Sequence, residues 1–330
     1  MSFIEDLKGV AFGIVNTPVD FNVRYSFFYL VATVLLAQFI WLARGKPDRF
    51  LRWLLPSKVF FHRSNLLDIK LFIVNRVISL SGILGPLLFA PAVAFYVVRT
   101  LSGKTPALDG ATPESLSIAL IATLIVVVSA DFCKYWAHRM HHEWKALWPF
   151  HAVHHSAEVL TPLTLMRAHP MEAVLRNIFI SLAVGLVQGL FLWLFLGPLA
   201  LVTVAGANVF YFLFNTAGAN LRHSHIWLSY GRVLEHVFIS PAQHQVHHSI
   251  AIEHHDKNYG SIFALWDWMF GTLYVPDGYE ELKFGVAGKE QQPHPNLRIA
   301  LLSPFAESWA ALRSALNQSS VTKVSEQDRL

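Results

Sequence analysis

The chain is poor in cysteine and in charge. Cys133 is the single cysteine in 330 residues, which excludes an internal disulfide framework and any zinc or iron–sulfur site built from thiolates. Charged residues make up only 15% of the composition, where roughly 25% is usual for a soluble domain. The 54% hydrophobic share is that of an integral membrane protein instead. Net charge is a modest +4 and scattered. With no basic helix interleaved with aromatics, nucleic acid is not an expected partner, and the surplus Lys and Arg suit lipid headgroups. There is no GxGxxG, Walker-type or HExxH motif, and no separate haem, flavin or nucleotide domain, so any electrons must come from outside. The opening MSFIEDLKGVAFGIV has early acidic residues and no small-residue cleavage site before the first long apolar run, so no removable signal peptide is expected.

Histidine is what the chain has in quantity, seventeen in all. The stretch DFCKYWAHRMHHEWKALWPFHAVHH, Asp131 to His155, follows directly on an apolar run. On a helix, His138 and His142 are i and i+4, and His151, His154 and His155 are i, i+3 and i+4, so each set faces one side. Pro149 is expected to end one helix and open another in its first turn. A second HxxHH set, His244, His247 and His248, repeats the wording of the first, HQVHHS after HAVHHS. Single histidines are ordinary polar residues. Paired spacings in three places are better read as ligands, because neutral imidazole is the commonest metal ligand and suits iron, zinc, copper and nickel. One zinc takes three or four ligands, so this many implies two metals.

Residues 24–43 are long enough to cross a bilayer core, which takes about 20 residues as helix. The basic loop of residues 44–70 then reads as cytoplasmic, with the N-terminus outside. Residues 71–98, broken by Gly82, Gly85 and Pro86, form either a kinked or tilted span or a re-entrant hairpin. Residues 115–130 run back inward and end at Asp131, costly there unless paired and a candidate partner for a ligating histidine. Residues 177–215, with Gly197-Pro198 near the middle, fit two spans with a tight outer turn. The expectation is an all-α integral membrane protein of about four to five transmembrane helices carrying a cytoplasmic, helical, histidine-rich cap for two metals. Its parts are an N-terminal anchoring region (1–114), a core (115–280) and a C-terminal cytoplasmic tail (281–330), polar and expected to be disordered from about residue 317. Ser240-Pro241-Ala242-Gln243 reads as a helix start with a capping box, which places His244 at the opening of a helix.

In order, YWAHRMHH, LWPFHAVHHS, RAHPME, RHSHI, SPAQHQVHHS, DKNYG and WDWMFGT resemble the sterol desaturase and fatty acid hydroxylase superfamily of membrane non-haem di-iron oxygenases. The resemblance runs from about Phe132 to Tyr274. It implies metal ligation by His138, His142, His151, His154, His155, His223, His244, His247 and His248, with His225 a further candidate and His141 an extra histidine in the first box. Asp256 and Asn258 are candidates for orienting ligating imidazoles through the other ring nitrogen. His169 is expected to shape the pocket, His254 and His255 to lie at the surface or behind the ligands, and His62, His236 and His294 to be structural. The resemblance further implies two iron ions, O2, an external electron donor, and a lipid or sterol substrate reached from the bilayer. Trp136, Trp144, Trp148, Trp193, Trp266 and Trp268 are candidates to line that path. Hydroxylation and desaturation both fit, since substrate position relative to the metals decides between them.

Three other readings compete. Alkylglycerol monooxygenase, within the same superfamily, uses tetrahydrobiopterin. A metal transporter should carry histidines or carboxylates inside its spans, and these spans lack histidine. A zinc hydrolase should have an open metal position and a glutamate base. A bacterial inner membrane is the expected location.

Overall fold

In the computed structural model, residues 26–84, 89–102, 116–195, 210, 212–289 and 291–327 are described. Among them there is no strand, only two isolated bridges, Phe238 with Phe263 and Ser249 with Phe284. The helices are α1 (Phe27–Ala43), α2 (Phe50–Leu54), α3 (Ser57–Phe60), α4 (Asn65–Leu80), α5 (Ala90–Ser102), α6 (Leu116–Glu143), α7 (Trp148–His155), α8 (Pro170–Phe195), α9 (Pro241–His247), α10 (Leu265–Met269) and α11 (Leu297–Gln327).

The long apolar runs make the longer helices, and their ends follow local chemistry. After α1 the chain turns through Gly45 at φ 72°. After α4 it turns through Gly82 at φ 70°, a backbone state that glycine adopts without Cβ strain. Residues 71–98 are therefore not one kinked helix but parts of two, α4 and α5. Pro149 and Pro241 each sit in the first turn of their helix, where the missing N–H costs nothing. The helix α6 runs unbroken from its apolar half into His138 and His142, so the first histidines stand at the end of a helix that is apolar for most of its length.

Two packing features position the rest. Helix α8 lies against α5 through Gly185 and Gly189. A Cβ at Gly189 would fall 2.6 Å from Val97 Cβ and 2.9 Å from Ala94 Cα, and one at Gly185 would fall 2.6 Å from Ala90 O. Two small residues one turn apart let the backbones approach, as at small-xxx-small helix seams. Gly189→Leu is expected to force the helices apart and cost at least the roughly 1–3 kcal/mol of overpacking, read as a lower unfolding temperature of the detergent-solubilised protein. The second feature is α11, which packs Ala300 into a cluster with Leu67, Leu71 and Val153. Residues 317–327, expected from their composition to lack structure, continue this helix.

Many large apolar side chains point outward, among them Phe27, Leu35 and Phe39 on α1, Ile73 and Val77 on α4, and Leu182, Leu186 and Leu190 on α8. Pro170–Leu190 is long and apolar enough to cross a membrane, while Phe27–Ala43 and Ala90–Leu101 are apolar but shorter. The turn at Gly197-Pro198 and the span expected to follow it lie mostly outside the described residues. The whole segment before residue 26 also lies outside them.

Candidate metal centre

Nine histidines from three helices and a turn come together in the interior. His138 and His142 from α6, His151 and His155 from α7 and His247 from α9 form one group; His154 from α7, His223, His244 from α9 and His248 at its C-cap form another. Within each group one ring nitrogen per residue lies within 4.8 Å of all the others. The groups adjoin, with the rings of His155 and His248 stacked at 4.5 Å.

Helix geometry permits the sorting. In each HxxHH set the first and last histidines are i and i+4 and share a face, while the i+3 histidine stands to one side. The first set gives His151 and His155 to the five-membered group and His154 to the other; the second gives His244 and His248 to the four-membered group and His247 to the first. The two boxes therefore interleave, each lending one residue across. The capping box of α9 fixes its start: Gln243 N–H donates to Ser240 Oγ at 3.1 Å, and Ser240 N–H donates to Gln243 Oε1 at 3.0 Å.

The outer ring nitrogens identify the inner ones. His138 Nδ1 donates to the Tyr259 carbonyl at 2.8 Å, His247 Nδ1 to that of Lys257 at 2.8 Å and His154 Nδ1 to that of Arg167 at 3.3 Å. A carbonyl only accepts, so each of these rings carries its proton outside and turns a lone pair inward. His223 Nε2 lies 3.2 Å from His154 Nε2 and 3.1 Å from both His248 Nε2 and His244 Nε2. His138 Nε2 is 3.1 Å from His151 Nε2. The Nε2 atoms of His142, His155 and His247 are buried without any hydrogen-bond partner. Converging lone pairs repel, and unpaired buried polar atoms cost about 1–3 kcal/mol each. A cation among them removes both penalties: donors about 2.0–2.1 Å from one ion sit roughly 3.0–3.4 Å apart, the spacing seen between these nitrogens. The residues therefore fit a metal in each group.

Burial keeps the rings neutral. It holds His154 and His247 down to about 3, and burial with neighbouring imidazoles holds His138, His142, His155, His244 and His248 well below the ordinary histidine value. Their lone pairs are thus available across the physiological range.

Three expected site residues do other work. Asp131 reaches no ring; its carboxylate accepts from the Ile262 and Phe263 amides at 3.0 Å each and from Trp266 Nε1 at 3.1 Å. It ties the 262–266 segment to α6. The side chains of Asp256 and Asn258 do not orient imidazoles either. Asp256 accepts from the Tyr259 hydroxyl, and Asn258 bonds Gln243 O and Tyr274 N. Both stand at φ 57°, a left-handed state in which Asp and Asn are enriched. That turn aims the Lys257 and Tyr259 carbonyls at His247 and His138, so DKNYG acts through its backbone.

His225 is not brought into either group: its Nε2 donates to Trp53 O at 2.9 Å between the rings of Trp53 and Phe60. His141 Nδ1 donates to Ala137 O at 2.7 Å. His169 is held by Leu301 O and the Met171 amide, and the buried His254 pairs with Glu280 at 3.0 Å. Trp148 meets the rings of His142 and His155 at 5.2 and 5.6 Å, while Trp268 packs on His236.

Residues that spacing did not single out complete the frame. Asp267 of WDWMFGT accepts from the Tyr259 and Gly260 amides, at 2.8 Å each, and from the Thr272 hydroxyl. A Cβ at Gly260 would fall 2.7 Å from that carboxylate. Arg167 and Glu172 of RAHPME stand directly behind His154 and His151. The only advance signal for these residues was their place in motifs whose local spacing carries no chemistry.

His294, 2% exposed, has both ring nitrogens buried without a partner. Burial, with Arg167 and His169 nearby, holds it down to about 4. In the unfolded chain it titrates near 6.5, so its share of stability is complete above that value and is lost as pH falls toward 4. His294→Leu is expected to retain the metal-binding groups and to flatten the decline of unfolding temperature of the metal-free protein between those two pH values.

The fold and site define a protein that is all-helical among the described residues and built around two adjoining histidine groups, each able to hold a metal ion. Residues 123–272, which contain all nine of these histidines, match the fatty acid hydroxylase family. The ornithine lipid hydroxylase OlsE of Rhizobium tropici is 29% identical over 177 residues, covering 54% of this chain and 49% of that protein. The alkylglycerol monooxygenase of Homo sapiens is 32% identical over 159 residues, 48% of this chain and 32% of its own length. The putative Delta(7)-sterol-C5(6)-desaturase 2 of Arabidopsis thaliana is 25% identical over 190 residues, 56% of this chain and 59% of its own. The chain spans about half the length of the first of these relatives and a third of the second. No solved structure matches it. Through residues 123–272 the chain belongs to the sterol desaturase and fatty acid hydroxylase superfamily.

Proposed function

We propose that the protein is a membrane oxygenase that hydroxylates or desaturates a lipid or sterol at two irons held by the two histidine groups, using O2 and an external electron donor. The observation that carries this is the pair of interleaved, all-imidazole groups that meet in one interior. Attack on an unactivated C–H bond is beyond acid–base side chains, and bound iron supplies the dioxygen chemistry that they lack. His138, His142, His151, His155 and His247 hold one ion, and His154, His223, His244 and His248 the other. The Lys257, Tyr259 and Arg167 carbonyls keep the outer nitrogens protonated, so that the inner ones remain ligands. Burial of the rings excludes water. The outward Leu, Ile and Phe side chains of α1, α4 and α8 suit a hydrocarbon surround, from which an apolar substrate would come.

In this reading residues 1–114 anchor the core of 115–280, residues 281–330 follow it on the cytoplasmic side, and the histidine groups face the cytoplasm of a bacterial cell at its inner membrane. The test is lipid profiling of a host with and without the protein. The expected product is heavier by one oxygen or lighter by two hydrogens. Unchanged lipids, with the purified protein free of iron after anaerobic reconstitution, would end the proposal.

Likeness to alkylglycerol monooxygenase over 159 residues favours a second reading, oxidation of an ether lipid with tetrahydrobiopterin. Supplying the pure protein with tetrahydrobiopterin, or with a ferredoxin or cytochrome b5 chain, separates the two by which one supports turnover.

A further inference from the structure

We propose that Glu172 is a positioning residue which, acting through His151, makes the five-histidine group the tighter of the two metal sites. This rests on the reading that both groups hold metal. His151 presents Nε2 to its group, 3.1 Å from His138 Nε2, and turns Nδ1 to Glu172 Oε1 at 3.2 Å. Glu172 is buried in the first turn of α8, with the half-exposed Arg176 guanidinium 3.6 Å from the same oxygen.

The outer environments of the groups differ. In the five-membered group, His138 and His247 donate to carbonyls at 2.8 Å, and His151 Nδ1, though not aligned for a hydrogen bond, lies 3.2 Å from a carboxylate oxygen. In the four-membered group, His154 meets a carbonyl at 3.3 Å, and the Nδ1 atoms of His244 and His248 are buried with no partner. An oxygen behind a ligating imidazole fixes its tautomer and orientation and raises its basicity. A carboxylate does more, because imidazole ligands bring no charge to offset two buried dications, and Glu172 places an anion directly behind one of the rings. The five-membered group thus has one more ligand and the nearby negative charge.

The experiment uses the full chain in detergent, stripped of metal and titrated with Co2+ against a chromophoric chelator, with the visible spectrum reporting imidazole ligation. Two binding steps are expected, separated by about tenfold or more, and Glu172→Gln should weaken the tighter by about 10–100-fold with the weaker unmoved. His155→Ala should remove the tighter step and His244→Ala the weaker, an assignment that stands even if Glu172→Gln does not fold. A single affinity for both ions, loss of the tighter step in His244→Ala, or equal weakening of both steps by Glu172→Gln would overturn the proposal. No uptake of Co2+ by the unmodified protein would instead overturn the metal reading beneath it.

Discussion

His154→Ala is expected to empty the four-histidine group and abolish oxygen-dependent turnover, and His247→Ala to do the same through the five-histidine group. Each is the residue that its own HxxHH box lends to the other box's group, so each change strikes the point where the helices are joined through a shared ion. His154 Nε2 lies 3.2 Å from His223 Nε2, with Nδ1 anchored on Arg167 O. His247 has a buried, unpaired Nε2, with Nδ1 anchored on Lys257 O. Removing a ligand should cost more than the roughly 10–100-fold that loss of an outer partner costs. The control is His225→Ala. That ring is partly buried and also held by a carbonyl, yet it bonds Trp53 rather than joining either group, so its loss should leave metal content unchanged. Metal analysis of the three purified variants, alongside turnover, checks this. Full iron content in His154→Ala or His247→Ala would refute the assignment.

Arg167→Met is expected to destabilise the protein by about 3–5 kcal/mol, the usual cost of leaving one partner of a buried ion pair alone. Arg167 and Asp68 are both fully buried and 2.8 Å apart. Burial pushes the Asp68 carboxyl up and the Arg167 guanidinium down even though each faces its opposite charge, so desolvation outweighs pairing. The pair is better understood as a clamp. Arg167 donates to Val153 O and Ser156 O at the end of α7, and to Ser64 O just before α4. Carbonyls in the last turn of a helix have no partner within it, and α7 carries three of the nine histidines. The same variant should therefore lose metal from the four-histidine group, since the Arg167 carbonyl holds His154. Asp68→Asn keeps one acceptor for Arg167, and the Thr164 hydroxyl can turn to accept from the new amide, so a smaller loss is expected with metal retained. Thermal unfolding in detergent and metal content measure both. Wild-type values for Arg167→Met would show that the clamp is dispensable.

The readable part of this protein was local. The spacing of His138 with His142, and of each HxxHH set, follows from the helical repeat, which neighbours in sequence determine by themselves. The capping box at Ser240 and Gln243, the helix start at Pro149 and the turn at Gly82 are likewise decided within a few residues. Residues 71–98 illustrate the limit. Their apolar composition is equally consistent with one bent helix and with two, and the left-handed Gly82 together with the seam between α5 and α8 selects two.

The sequence by itself determined that eight of the nine histidines would stand at helical spacings suited to metal, because ligand type and angular spacing are properties of the local chain, whereas His223, in a turn, was indicated by the family resemblance alone. Only the tertiary structure decided that the two HxxHH boxes exchange a member, that His225 turns to Trp53, and that Asp131 and Asp267 brace a loop while backbone carbonyls orient the rings. Those outcomes depend on which carbonyl lies opposite which nitrogen across long stretches of chain. Every residue has a carbonyl, so no choice of side chain announces the one that will be used.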